Sequence, residues 1–428
     1  MKKKLLTFLL LFVLIFSFAA CSEKETATND ITSEAENDDN NSTPAESETA
    51  PSNDENGEQK QNTGNVSDVV IPEPVIMPTE LSNNIMDFQV AIGDSVYQFP
   101  MWYSDFANLG WQYSGNPDEM VYSSGMRYLS WTSDNDVSVS CSAENMTINA
   151  SKVSDCILTA ITIHSNVVEN TGIEVTLAKD IKLNVSTEED IINAYGTPTS
   201  TFDMFDTKTL TYGGNFTNQI TLTLDSESTV LQQIEIRNHK ELKGGDNSVY
   251  YDIPAVSSNY TPPTQLGDDV YDYAFLLEGN YYSLPCPFSA LEANGFTISD
   301  ESKDEVIPSG ADKGCYLDYN GKKLSVSMRN FSYFATDFTN CYITNITVMS
   351  DTNDFCDLTL SGNIKLGTNE ASLLDVINSH EYELYGDEQD KSYYLNQPGL
   401  SEYSNRRDFN LVNGIIRQID ISCTKRPE

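Results

Sequence analysis

From about residue 81 onward apolar and polar residues alternate, a period of two that predicts strands. Gln219-Ile220-Thr221-Leu222-Thr223-Leu224 is the cleanest case, with one apolar face and one wet face. Asp87–Pro100 is an apolar stretch interrupted by Gly93-Asp94 and closed by Phe99-Pro100, which predicts a hairpin with a tight turn. Asp272–Pro285 reads the same way around Gly279-Asn280. Helical periodicity is rarer. Phe106–Gly110 and Leu291–Gly295 predict short helices stopped by glycine, each followed by an aromatic residue (Trp111, Phe296) that opens a strand. A second helix is expected after Ser186, read as its cap, with Glu189 completing a capping box. Ile191, Ile192 and Tyr195 supply its apolar side, and Gly196 and Pro198 stop it. Its counterpart begins at Thr368 or Asn369 and uses Leu373, Leu374, Val376 and Ile377.

These phrases come in pairs. Cys156-Ile157-Leu158-Thr159-Ala160-Ile161-Thr162-Ile163 aligns with Cys341-Tyr342-Ile343-Thr344-Asn345-Ile346-Thr347-Val348 at an offset of 185. Gln233-Ile234-Glu235-Ile236 aligns with Gln418-Ile419-Asp420-Ile421 at the same offset, and Asp180–Asn184 with Asn363–Gly367 at 183. A near-constant offset over several blocks predicts a tandem duplication. The units span 81–238 and 271–428, and 239–270, with Gly244-Gly245, Pro254 and Pro262-Pro263, reads as a linker. The fold class expected is α+β: two tandem repeats, each a mostly antiparallel sheet with two short helices packed on one face.

The first 80 residues are of another kind. Lys2-Lys3-Lys4 precedes an apolar run, Leu5–Phe18, and then Ala19-Ala20-Cys21, the three regions of a secretory signal peptide over 1–21. Phe18-Ala19-Ala20-Cys21 resembles the lipobox of bacterial lipoproteins. That resemblance implies cleavage before Cys21, a diacylglyceryl group on its thiol, and attachment to the cell membrane facing outward. Two acyl chains anchor stably where one is marginal. Residues 22–80 carry fifteen acidic residues against two lysines and almost no aromatics, and read as a disordered acidic stalk.

Charge narrows the partners. Lys and Arg total 25 and Asp and Glu 64, a formal net charge of -39. A field of that sign repels phosphate backbones, so no nucleic-acid partner is expected.

Candidate chemistry is sparse. Histidines are three: His164, His239 and His380. No Cys-x-x-Cys occurs and no His stands at ligand spacing from a Cys, so neither a metal nor a cofactor is expected. Seven cysteines remain beyond Cys21, and Cys141 with Cys156, and Cys315 with Cys341, are candidate disulfides. Asp134-Asn135-Asp136, Asp268-Asp269 and Asp351–Asp354 lack a full calcium loop and read as solvated turns. No serine or cysteine sits in a nucleophile phrase, and so many acids make chance carboxylate pairs uninformative. The aromatic cluster Trp102, Tyr103, Trp111, Tyr113 and Trp131 is the candidate binding surface, since Tyr and Trp stack on sugars and anchor interfaces.

The segment Ile181–Pro198 is similar to one in small lipoproteins of the SmpA/OmlA type and to the tandem units of the β-lactamase inhibitory protein fold. The resemblance implies a helix pair against a curved antiparallel sheet and a surface-tethered scaffold that binds proteins. The plan of lipobox, acidic stalk and repeats also looks like that of surface lipoproteins in Firmicutes. The function expected is a membrane-anchored, extracellular, non-enzymatic binding module for a protein or glycan. The alternatives are an envelope hydrolase with an unrecognised acidic or Cys site, and an inhibitor of an extracellular enzyme.

Overall fold

The computed structural model describes residues 71–427, apart from 258, 268, 351–354 and 397–404. The expected signal peptide, the expected lipidation site Cys21, most of the expected stalk and the turn at 351–354 lie outside the described residues.

Alternating sequence becomes strand as its period requires. In the first half β1 (Gln89–Ile92) and β2 (Ser95–Gln98) form the expected hairpin, with Gly93 at φ +59 in its turn. There follow β3 (Met101–Trp102), α1 (Tyr103–Asn108), β4 (Trp111–Tyr113), β5 (Met120–Val121), β6 (Met126–Ser133), β7 (Ser138–Glu144) and β8 (Ser151–Lys152). Then come β9 (Ile157–His164), α2 (Asn166–Thr171), β10 (Val175–Leu177), β11 (Ile181–Lys182) and α3 (Glu188–Tyr195). The half closes with β12 (Ser200–Met204), β13 (Thr207–Asn215), β14 (Asn218–Asp225) and β15 (Leu231–Asn238). One sheet has the order β11-β10-β1-β2, and a nine-stranded sheet runs β12-β13-β14-β15-β9-β7-β6-β4, with β3 pairing β9.

The second half opens with β16 (Ala274–Leu277), β17 (Asn280–Ser283), β18 (Cys286–Pro287), α4 (Phe288–Glu292) and β19 (Thr297–Ile298). It continues with β20 (Asp312–Tyr319), β21 (Lys322–Arg329), β22 (Tyr342–Met349), β23 (Leu358–Leu360), β24 (Ile364–Lys365) and α5 (Glu370–Ile377). The last four strands are β25 (Glu383–Gly386), β26 (Asp390–Asn396), β27 (Asn405–Val412) and β28 (Ile415–Cys423). The strand orders are β17-β16-β23-β24 and β19-β20-β21-β22-β28-β27-β26-β25, with β18 on β22. Apart from the two-stranded sheet β5–β8, which has no counterpart among the described residues, this is the strand order seen in the first half.

The α+β expectation is corrected. Strand makes up 44% and helix 14% of the described residues, closer to an all-β chain. Among the described residues no helix exceeds eight residues, and α3 buries Ile191 alone while α5 buries Leu373 and Ile377. Elements that short cannot form a layer, so each core is closed mainly by the inward faces of strands. The cap of α3 also moves by one residue. Thr187 and Asp190 form the capping box, while Ser186 Oγ accepts from the Lys182 N–H at 3.0 Å. In the second half Asn369 is the cap.

Two connecting segments are packed. The last ten residues assigned to the stalk dock on the first half: the Trp102 Nε1–H donates to the Glu73 carbonyl at 3.1 Å, the Val75 N–H donates to Asp105 at 2.9 Å, and Val75 and Met77 pack on the core. The expected linker lies between the halves, where Asn149 Nδ2 donates to the carbonyls of Asp246 and Ser248, each at 3.0 Å.

Candidate functional site

The expected aromatic surface is a core. Trp131, Trp111 and Trp102 are 1%, 4% and 5% exposed. β4 and β6 carry Trp111, Tyr113 and Trp131 inward beside α1, whose Phe106 stacks on Trp111 at 4.9 Å and meets Trp131 edge-on at 5.1 Å. Tyr103 and Tyr113 are half-buried against Trp131, at 4.7 and 5.7 Å. Trp111 Nε1 donates to Tyr97 Oη at 3.1 Å. Trp102 stands apart from these rings, held by Glu73. Large rings gain most when their whole area is removed from water, and here packing takes them.

The candidate disulfides are likewise corrected. Cys141, Cys156, Cys315 and Cys341 are buried free thiols, as are Cys286, Cys356 and Cys423. Cys141 is level with Ile161, five residues along β9 from Cys156. At about 3.3 Å per residue that exceeds the roughly 7 Å Cα limit for a bridge. Cys315 lies two strands from β22, through Val326, a spacing of roughly 10 Å. Burial pushes the thiols of Cys156, Cys315 and Cys356 up to about 12, so none is a ready nucleophile.

Polar chemistry elsewhere is local. Asp134 and Asp136 occupy the β6–β7 turn, and among the described residues no three His, Cys, Asp or Glu side chains converge on a point that could hold a metal. His164 ends β9, exposed. His239 Nδ1 is 2.5 Å from Glu144 Oε2 at a cavity of about 390 Å³ that Glu241 also lines. His380 bridges Ser379 Oγ at 3.1 Å and Asp269 Oδ1 at 2.9 Å, yet Ser379 and His380 line neither that cavity nor the larger one.

The larger cavity, of about 880 Å³, is in the second half. Its walls are the segment before β16 (Ser257, Asn259, Tyr260), the end of the β16–β17 hairpin, Tyr342 at the start of β22, and the tail after β28. Each tyrosine is fixed. Tyr342 Oη accepts from the Ser257 N–H and Tyr260 Oη from the Ser283 N–H, at 3.1 and 3.2 Å. Tyr273 adds a third ring, and Lys425 and Arg426 stand on the tail. Arg426 Nη1 donates to Tyr122 Oη of the first half at 2.6 Å. Among the described residues no Asp or Glu lines this cleft.

Behind the wall made by Tyr273 and Cys423 lies Arg407, 1% exposed. Its guanidinium sits 4.1 Å from the Tyr273 ring centre and 5.8 Å from that of Tyr271. Nη1, Nη2 and the Tyr273 hydroxyl make no hydrogen bond of ordinary geometry, yet the guanidinium and that hydroxyl are close enough to interact, and the Asp269 carboxylate acts on Arg407 from nearby. Burial lowers the Arg407 pKa and raises that of Tyr273. Arg407 was within reach of sequence reading, because the inward parity of β27 runs Asn405, Arg407, Phe409, Leu411 and puts a cation on an apolar face. The three tyrosines come from distant segments, and no local pattern joins them.

No protein family, curated protein or solved structure matches the chain.

Proposed function

We propose that this chain is a membrane-anchored extracellular binding protein, attached through a lipid on Cys21, that holds a glycan without turning it over. The cleft of the second half carries the reading. Three rings (Tyr260, Tyr273, Tyr342) line about 880 Å³ together with Ser257, Asn259 and Thr261. Amphipathic rings beside hydroxyls and amides match the apolar faces and hydroxyl edges of a sugar. Binding is favoured over turnover because the one thiol in the lining, Cys423, is buried with its pKa raised. A hydrolase built on Ser379, His380 and Asp269 has less support, since neither described cavity adjoins the serine.

The test is an immobilised glycan panel probed with the full chain, with the bound glycans then analysed for cleavage. Retention of a subset, uncut, and its loss in Tyr260→Ala support the reading. Cleavage products, or retention indifferent to Tyr260→Ala, overturn it.

A further inference from the structure

The last strand of each half ends beside the residue that follows the opening hairpin, and the two endings differ. Asn238 closes β15 and Cys423 closes β28, and each pairs with an asparagine, Asn218 and Asn405. The backbone after the hairpin also matches. The Phe99 N–H donates to the Phe88 carbonyl and the Leu284 N–H to the Tyr273 carbonyl, each at 3.0 Å. In the first half Asn238 Nδ2 donates to the Phe99 carbonyl at 2.9 Å, which ties the strand end to the hairpin. Cys423 has no amide with which to make that bond, and Cys423 and Leu284 both line the cleft of about 880 Å³.

A second pair of positions differs in the same sense. Trp102 pairs with Ile157 and Pro287 with Tyr342, at one register of β3 on β9 and of β18 on β22. The Trp102 indole donates to the Glu73 carbonyl. A Cβ added to Gly244 would lie 2.8 Å from Trp102 Cζ2 and 2.9 Å from Pro72 Cα, so the segment before the first hairpin and the segment after β15 meet at that ring. In the second half the segment before the hairpin, at 257–261, and the tail after β28 are two walls of the cleft. There a proline stands where the first half has an indole. Protein interiors pack closely, so a space of this size between two such segments is an exception. The open copy is also the hydroxylated one, with Tyr273 and Tyr342 at the positions of Phe88 and Ile157.

On the reading that this cleft binds a glycan, we infer that Pro287 and Cys423 are the residues that open it, and that the first half is the same site filled by Trp102 and tied shut by Asn238. The duplicated unit then has one binding copy and one filled copy, and the chain takes one ligand. In the first half a ligand would have to displace a buried indole and break an amide–carbonyl bond, and both stabilise the filled form. In the second half neither obstacle is present, and the tyrosine rings face a space that is already formed. Preformed concavity of this kind is what a small-ligand site requires.

The test uses the full chain in detergent on the same immobilised glycan panel, followed by calorimetric titration with the panel glycan that the parent retains best. The parent should bind one glycan per chain. Pro287→Trp with Cys423→Asn, which carries the first-half residues into the second half, should weaken binding about tenfold or more, with a urea midpoint no lower than the parent's. Cys423→Asn alone should weaken it by a smaller factor, and it decides the matter if the double variant fails to fold. Pro287→Ala with Cys423→Ser keeps both side chains small and should bind as the parent does. Two glycans per chain, parental affinity in the folded double variant (or in Cys423→Asn where that variant stands in), or loss of binding in the small-residue variant overturns the inference while the glycan cleft stands. Retention of no panel glycan by the parent overturns the cleft reading and the inference with it.

Discussion

Asn149 Oδ1 accepts a hydrogen bond from the Ala335 N–H at 2.6 Å, across the contact between the two halves. The same side chain, 3% exposed, donates to the Asp246 and Ser248 carbonyls. One amide thus joins the loop after β7, the loop after β21 and the segment between the halves. Nearby, the Ala150 N–H donates to the Tyr333 carbonyl at 2.8 Å and the Ser309 N–H to that of Ile148 at 2.8 Å. Truncation to Asn149→Ala leaves one buried donor and two acceptors without their partner. Each such group costs about 1–3 kcal/mol, so a loss of roughly 3 kcal/mol is expected in urea denaturation. A midpoint within error of the parent would show that this contact does not hold the halves together.

Gly310 stands at φ +73, and a Cβ added there would lie 2.7 Å from Cβ and Cγ of Tyr122. Those atoms are near the backbone and cannot swing away. The Tyr122 ring is 5.6 Å from that of Tyr333, and its hydroxyl receives Arg426. Gly310→Ala should therefore cost about 2 kcal/mol or more, from the left-handed backbone and the clash together. It should also change the near-ultraviolet tyrosine signal, since Tyr122 must leave Tyr333. An unchanged spectrum with unchanged stability would refute the close approach.

The hairpins around Gly93 and Gly279 and the strand Gln219–Leu224 were legible because strand periodicity is local and strong. The weight of helix was overread. Ser186–Gly196 has helix signals at both ends, yet only Ile191 of its apolar residues is buried, and a helix with one inward residue adds little to a core. The tryptophans illustrate a different limit. Sequence shows that Trp111 and Trp131 are aromatic, but whether the rings face a groove or each other depends on β4 pairing β6 beside α1. The cleft was invisible for the same reason, since Tyr260, Tyr273 and Tyr342 meet only after β16, β22 and the tail converge.

The thiols give a direct chemical test. Each of the seven described cysteines is buried and unpaired, and burial raises the pKa of each. Thiolate is the reactive form, so the native protein should react negligibly with iodoacetamide at pH 8 and fully once denatured. Intact mass after denaturing alkylation without reductant should show seven modifications in 71–428. Four fewer, with the unmodified sites at Cys141, Cys156, Cys315 and Cys341, would restore the two disulfides.

Asp408 makes stability depend on pH in an unusual direction. It is 5% exposed on β27, directly opposite Asp420 on β28. Asp420 is held as an acceptor by Thr347 Oγ1 at 2.8 Å, whereas Asp408 has Arg406 on Oδ2 at 2.9 Å and nothing on Oδ1. Burial, reinforced by the Asp420 charge and opposed by Arg406, pushes the Asp408 carboxyl up to about 6. In the unfolded chain it titrates near 3.9. Folding therefore takes up a proton between those values. The contribution of this group is complete below about pH 4 and is lost as pH rises through 6. From pH 7 to 5 the protein should gain up to about 2 kcal/mol from Asp408. At still lower pH the carboxylates whose pKa is depressed, such as Glu370 beside Lys391 and Asp269 at the Tyr271 N–H, lose their stabilisation and reverse the trend. Asp408→Asn mimics the protonated form, so it should be more stable than the parent at pH 7 and approach it only below about pH 4. Denaturation of the two proteins in parallel across that range decides the matter, and a gap that does not close as pH falls would assign the effect to another group.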